Sequence, residues 1–243
     1  MGLIDDAVGY WPMETAANAE TPDASDGGRG LALHGATPLA GTHGCRLDGH
    51  GAFLHTSAPV LRTDRPYSVA AWVRLEGDQL DRGLSMEEDE YAWTAASQSS
   101  HTHSPFYLGI RKHPDGDGVF SLYWNITMAP VDGSVTGTLE WRHAYGAAVS
   151  EAMLDRWHLL VGVSDTASRQ VRLHVPGLTQ GMSQAPDEWP YWQSDGAFEI
   201  GRARWLGNPV DYWPGSVGPA LCFDRALTEA EAQELASQTS WQG

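Results

Sequence analysis

Apolar and polar residues alternate with a period of two along much of this chain, the spacing of strands whose successive side chains point to opposite faces. In Tyr67–Leu75, the residues Tyr67, Val69, Ala71, Val73 and Leu75 fall on one face and Ser68, Ala70, Trp72 and Arg74 on the other, which predicts a strand useful on both sides. Trp157, Leu159, Val161 and Val163 share a face of a second strand, and Val171, Leu173 and Val175 are predicted inside a third, with Gln170, Arg172 and His174 outside. The polar run at 165–169 joins the last two as a hairpin. Phe106–Arg111 and Val119–Asn125 predict another hairpin across a turn at 113–118 whose glycines can take positive φ. Helical signals are confined to Thr228–Ser237, where Thr228 as N-cap and Glu231 three residues on form a capping box. Strands separated by turns, with one short C-terminal helix, predict an all-β fold of two packed antiparallel sheets. No low-complexity linker divides the 243 residues, so the reading is a single domain, 1–243, with a core from about 7 to 236.

Composition sharpens this. The chain holds 27 Gly, 14 Pro and 11 Trp, and its 15 Lys+Arg stand against 31 Asp+Glu for a net charge of −16. Coulomb repulsion then disfavours nucleic acid and anionic membrane surfaces, leaving cations and neutral ligands as natural partners. The first ten residues lack the basic and apolar runs of a secretory signal, and no apolar stretch is long enough to span a bilayer. Read as it stands the chain is cytoplasmic; it is secreted if a signal has been removed. Two cysteines, Cys45 and Cys222, make neither a disulfide framework nor a zinc spacing.

Four motifs in order resemble a known family. They are Ala7–Glu14 with Asp23–Gly35, the corner Cys45–Leu54, the strand Tyr67–Leu75 with the hairpin Trp157–Gly177, and the closing Phe198–Arg202 and Trp213–Glu231. Together they resemble the concanavalin A-like laminin-G jelly rolls, especially the stand-alone bacterial type. The resemblance implies a two-sheet sandwich in which strands from the two ends of the chain lie side by side. Cys45 and Cys222 then fall in neighbouring strands, with Cα atoms within about 12 Å, either bridged or as two buried free thiols. It also implies Ca²⁺ held through carboxylates and loop carbonyls, with Asp48 in the Asp-Gly corner matching the family position most closely and Asp26 and Asp224 as looser candidates. The chain departs from the family pattern at Gly215–Leu221, which lacks the usual acidic pair, and at Pro219, which predicts an edge position or a bulge. Residues 77–104 and 184–196 read as elaborations of the family pattern.

Candidate chemistry is sparse. Glu87, Glu88, Asp89 and Glu90 are contiguous and so alternate faces; they lack the spacing that would flank one glycosidic bond and read as a solvated loop. His101 and His103, if on a strand, point the same way and could share a cation with His113 or a neighbouring carboxylate as third ligand. His158 and His174 read as structural. The aromatic residues are the most suggestive material: Tyr123, Trp141, Trp189, Trp192, Trp205 and Trp213 exceed the needs of a sandwich core, and Asn125 adds a directional hydrogen bond. Pro190 is expected to stiffen the Trp189–Trp192 loop as a ligand wall. Two functions follow. One is a lectin-like module binding a carbohydrate or glycosylated small molecule through aromatic loops and a sheet face. The other is an intracellular enzyme on the same scaffold, acting on a bulky metabolite with acid–base help from His101, His103 or His143.

Overall fold

The structure, a computed structural model, describes residues 2–14, 20–41, 43–85, 92–115, 119–134 and 139–239. The acidic run Glu87–Glu90 lies outside the described residues. In chain order the strands are β1 (Gly9–Trp11), β2 (Glu20–Thr21), β3 (Leu31–His34), β4 (Thr37–Pro38), β5 (Cys45–Asp48), β6 (Phe53–His55) and β7 (Tyr67–Leu75). A short helix α1 (Gln79–Leu84) precedes β8 (Ala92–Gln98), β9 (Phe106–Pro114), β10 (Phe120–Met128), β11 (Arg142–Ala148), β12 (His158–Asp165), β13 (Gln170–His174) and β14 (Gly181–Gln184). Then come β15 (Phe198–Ile200), β16 (Ala203–Trp205), β17 (Asn208–Val210), β18 (Pro214–Phe223) and the helix α2 (Glu229–Gln238).

Among the described residues two antiparallel sheets form the sandwich. One runs β14-β13-β12-β7-β18-β5-β4 with β1 also paired to β18; the other runs β11-β10-β9-β8-β15-β6-β3-β2. Both predicted hairpins are present, as β12 with β13 and β9 with β10. Leu160, Val171, Leu173, Val217, Ala220 and the odd-numbered face of β7 meet Phe106, Leu108, Ile110, Leu122, Trp124 and Ile126 across the interface, with the ring of Trp11 stacked 5.0 Å from that of Phe198. Gly162 is required there, because a Cβ would lie 2.5 Å from Ile126.

The strands of the first sheet bury both faces. Ala70, Trp72, Leu159, Val161, Val163, Leu221 and Phe223 point away from the sandwich core and are covered by Leu227, Ala232 and Leu235 of the C-terminal segment and by Leu3 of the 3-10 turn Leu3–Asp6. The helix starts where the capping box places it: Glu231 N–H donates to Thr228 Oγ1, and the Glu231 carboxylate accepts from Thr228 N–H. Pro219 lies in β18, an interior strand, and the register with β7 shifts between Val217 and Ala220, so the missing donor is accommodated by a bulge.

Neighbouring strands do bring the two ends of the chain together, since β5 pairs with β18. The predicted closeness of the cysteines does not hold. Cys45 lies opposite Val217 while Cys222 lies opposite Val69 and Gly9, five positions further along. At roughly 3.3 Å per residue that is beyond the 12 Å expected, and beyond the ~7 Å a disulfide spans. Both are buried free thiols. No helix among the described residues is long and apolar enough to cross a membrane.

Candidate binding face

With the outer face of the first sheet closed by α2, the polar outer face of the second sheet is left to consider. In β10, Leu122, Trp124, Ile126 and Met128 enter the core, so Tyr123, Asn125 and Thr127 turn outward. The register extends this into rows across the face: His143, Thr127, Tyr107, Ser97, Glu199 and His55 in one, Tyr145, Asn125, Gly109 and Thr94 in the next, Tyr123, Arg111 and Ala92 in the third. In the half over β15 and β6 the charges pair internally: Arg202 donates to Glu199 at 2.6 Å and lies 3.4 Å from the centre of the Phe53 ring. The half over β9, β10 and β11 holds the candidate site.

Hydrogen bonds fix the polar groups there. Asn125 Nδ2 donates to Ala144 O at 3.2 Å, which aims its Oδ1 at Thr127; Thr127 Oγ1 donates to that oxygen at 2.6 Å. The hydroxyl has one proton, so toward His143 Nδ1, 2.8 Å away, it can only accept. His143 is therefore the Nδ1–H tautomer, with Nε2 a bare acceptor. Burial first, then Arg111, His113 and Arg142, push the imidazole down to about 4, so it is neutral at physiological pH.

Rings extend outward from this chain. His143 stacks on Tyr145 at 5.7 Å, Tyr145 stacks on the exposed His113 at 4.4 Å, and Tyr123 meets Tyr145 edge-on at 5.9 Å. Tyr123 and Ser121 donate their hydroxyls to Asp115.

A bulge in β8 supplies the other side. Between Thr94 and Ala96 the register with β9 shifts, and Gly109 opposite has no room for a side chain, since a Cβ would lie 2.1 Å from Trp93 O. Thr94 N–H is thereby free to donate to Asp211 O at 2.7 Å, and Tyr212 forms a bridge beside Thr94. Asp211 takes a left-handed φ of 57°, which Asp tolerates. Burial raises its carboxyl to about 6, with Arg111 opposing the shift in part.

The sequence candidates distribute unevenly over this geometry. Tyr123, Asn125 and His143 come together on the face, Asn125 being buried beneath the rings. Trp141 borders it, half-buried, with Tyr107 at 5.7 Å and His103 edge-on at 5.3 Å. Trp205 is exposed, at the tip of the β16–β17 hairpin. Trp213 and Trp189 are core residues, 0% and 5% exposed, and so do not serve as open stacking rings. The Trp189–Trp192 loop is packed down: Trp192 Nε1 donates to Ala129 O at 3.0 Å, Tyr191 rests on the core, and the crevice among Thr63, Pro105, Met128 and these rings is too tight for water.

His101 and His103 do not share a strand face. They lie in a loop whose three successive N–H groups at 101, 102 and 103 all donate to the Asp132 carboxylate. His103 is buried and its Nδ1 accepts from Leu206 N–H, a structural role, while His101 is exposed. His158 and His174 are structural too, bonded to Met153 O and Gln180. Asp48 Oδ1 accepts from the N–H groups of His50, Gly51 and Ala52, each at 2.9 Å, and these hold its carboxyl down at about 2. It closes the corner; Asp26 and Asp224 are exposed elsewhere, and no three His, Cys, Asp or Glu side chains among the described residues gather to hold an ion. Asp48, Asp26 and Asp224 thus form no carboxylate cluster among the described residues. Sequence reasoning missed Arg111, Tyr145 and Asp211; the alternation that turned Tyr123 outward, carried across the hairpin, would have found Arg111.

A jelly-roll sandwich with one apolar outer face covered and one polar outer face ringed by aromatics belongs to the lectin-like class of folds. The family model for the concanavalin A-like lectin/glucanases superfamily matches residues 48–233, and the chain belongs to that superfamily. No curated protein matches the chain. Among solved structures it is similar to domain 4 of AbnA, a GH43 extracellular arabinanase from Geobacillus stearothermophilus, in complex with arabinotriose (TM-score 0.55, 15% identity, 95% of this chain and 98% of that one). It is also similar to the binding domain of botulinum neurotoxin serotype G (0.62, 10%, 96% and 51%) and to Trypanosoma rangeli sialidase with the inhibitor DANA (0.56, 12%, 93% and 32%). The chain thus spans about a third of the sialidase and half of the toxin domain. At such identities these likenesses establish the fold.

Proposed function

We propose that the protein binds a carbohydrate on the outer face of β9, β10 and β11. One observation carries this reading: Tyr123, Tyr145, His113 and His143 form a continuous group of partly exposed rings on the polar outer face that α2 leaves open. Such rings stack on the apolar faces of sugars, and the bare Nε2 of His143 accepts a hydroxyl proton. The arabinotriose seen with the AbnA domain supports the ligand class. Tyr145→Ala is expected to weaken glycan binding by at least about tenfold in titration calorimetry while moving the Tm little, because a partly exposed ring contributes more to a complex than to the fold. Undiminished affinity in that variant would remove the face from consideration.

A second reading, an enzyme on the same face, is favoured by Asp211, whose raised carboxyl can give up a proton near pH 6, and by neutral His143, which can take one. Turnover of a bound glycan that Asp211→Asn abolishes without loss of binding would establish it.

A further inference from the structure

We propose that the sugar held on this face is acidic, its carboxylate received by the guanidinium of Arg111. This rests on the carbohydrate reading and adds the charge of the ligand. Arg111 stands on β9 opposite Tyr123 of β10 and Ala92 of β8, within the ringed half of the face. Its charge lowers the proton affinity of Tyr107, His143, Tyr145 and Asp211 alike, which places it among all four.

Arg111 is also unsatisfied. Its Nε is buried with no hydrogen-bond partner, and none of the ion pairs among the described residues includes it. Every other partly buried arginine among the described residues has an ion pair or a side-chain hydrogen bond, and Arg111 has neither. Arg202, on the other half of the same face, is by contrast ion-paired with Glu199. A planar fork of donors matches a carboxylate in two parallel hydrogen bonds, and the adjoining rings supply the surface for the sugar that bears it.

The competing negative charges are few. Asp115 is engaged by the hydroxyls of Ser121 and Tyr123. Asp211 is an acid on which the Arg111 charge acts, and Tyr107, which interacts with both, is a phenol held neutral by burial. Protonating Asp211 frees Arg111 for an anion, so affinity for an acidic sugar should fall as pH rises through about 6.

The test is a glycan array in matched pairs that differ only in a carboxylate: terminal glucose against glucuronate, galactose against galacturonate, and sialylated chains against the same chains with the sialic acid carboxyl reduced to the alcohol. The acidic member of at least one pair should be retained about tenfold more strongly, less so at high salt. Arg111→Gln should collapse that ratio to about one, and Arg111→Lys, which keeps the charge but loses the fork, should retain only part of it. Asp211→Asn should remove the pH step. Equal binding of both members, or a ratio unchanged in a folded Arg111 variant, overturns the proposal and leaves the carbohydrate reading standing. No binding of any member overturns both.

Discussion

Asp211 carries a cost that the fold tolerates. Its carboxyl is raised by burial to about 6, so folding favours the protonated form. Stability from that preference is fully present below the unfolded value of about 4 and is lost as pH rises through about 6. Near neutral pH the residue therefore opposes folding. Asp211→Asn, which keeps a side chain suited to left-handed φ, is expected to raise the Tm at neutral pH and leave it unchanged at about pH 4, as thermal melts at the two pH values will show. None of this was legible in the sequence. The weakened acidity comes from burial, and the chain is held over the sheet there by Thr94 N–H donating to Asp211 O, a contact made across more than a hundred residues. Residue chemistry singled out Tyr123, Asn125 and His143 in the sequence, but that they share one face follows from the register of β10 and β11.

At the scale of elements, period-two patterning located β7, β12, β13 and the β9–β10 hairpin, and the capping box located α2, since each of these signals is local. The Trp189–Trp192 loop shows where local signals end. Two tryptophans around Pro190 suggested a rigid exposed wall, yet burial depends on where a loop folds back, and this one folds onto Met128 and Ala129. Trp192→Ala is accordingly expected to cost roughly 2 to 4 kcal/mol through a lost hydrogen bond and a new void. Denaturant titration measures that loss, and glycan affinity of the folded variant should stay within about twofold, well inside the ~1.4 kcal/mol that a tenfold change represents.

For the whole molecule, the jelly-roll architecture was legible from motif order, whereas the choice of open face was not. That choice is made by α2, whose sequence says it is helical but not which sheet it covers. Ending the chain before Thr228 should uncover Leu159, Val161, Val163, Leu221 and Phe223. Dye binding to exposed apolar surface, a lower Tm and aggregation are the expected results; a monomeric, fully cooperative product would show that the helix is dispensable cover.

The same arrangement settles an orientation. The 3-10 turn Leu3–Asp6 and the helix Glu229–Gln238 pack together against the sheet that faces away from Arg111, Tyr123 and Tyr145. Any attachment made through either of these segments, whether to a bead, a sensor chip or a fused partner, therefore leaves the ringed face pointing outward. Several copies tethered on one support would present their sites in parallel, and avidity would follow from the position of the anchors without a change at the site itself.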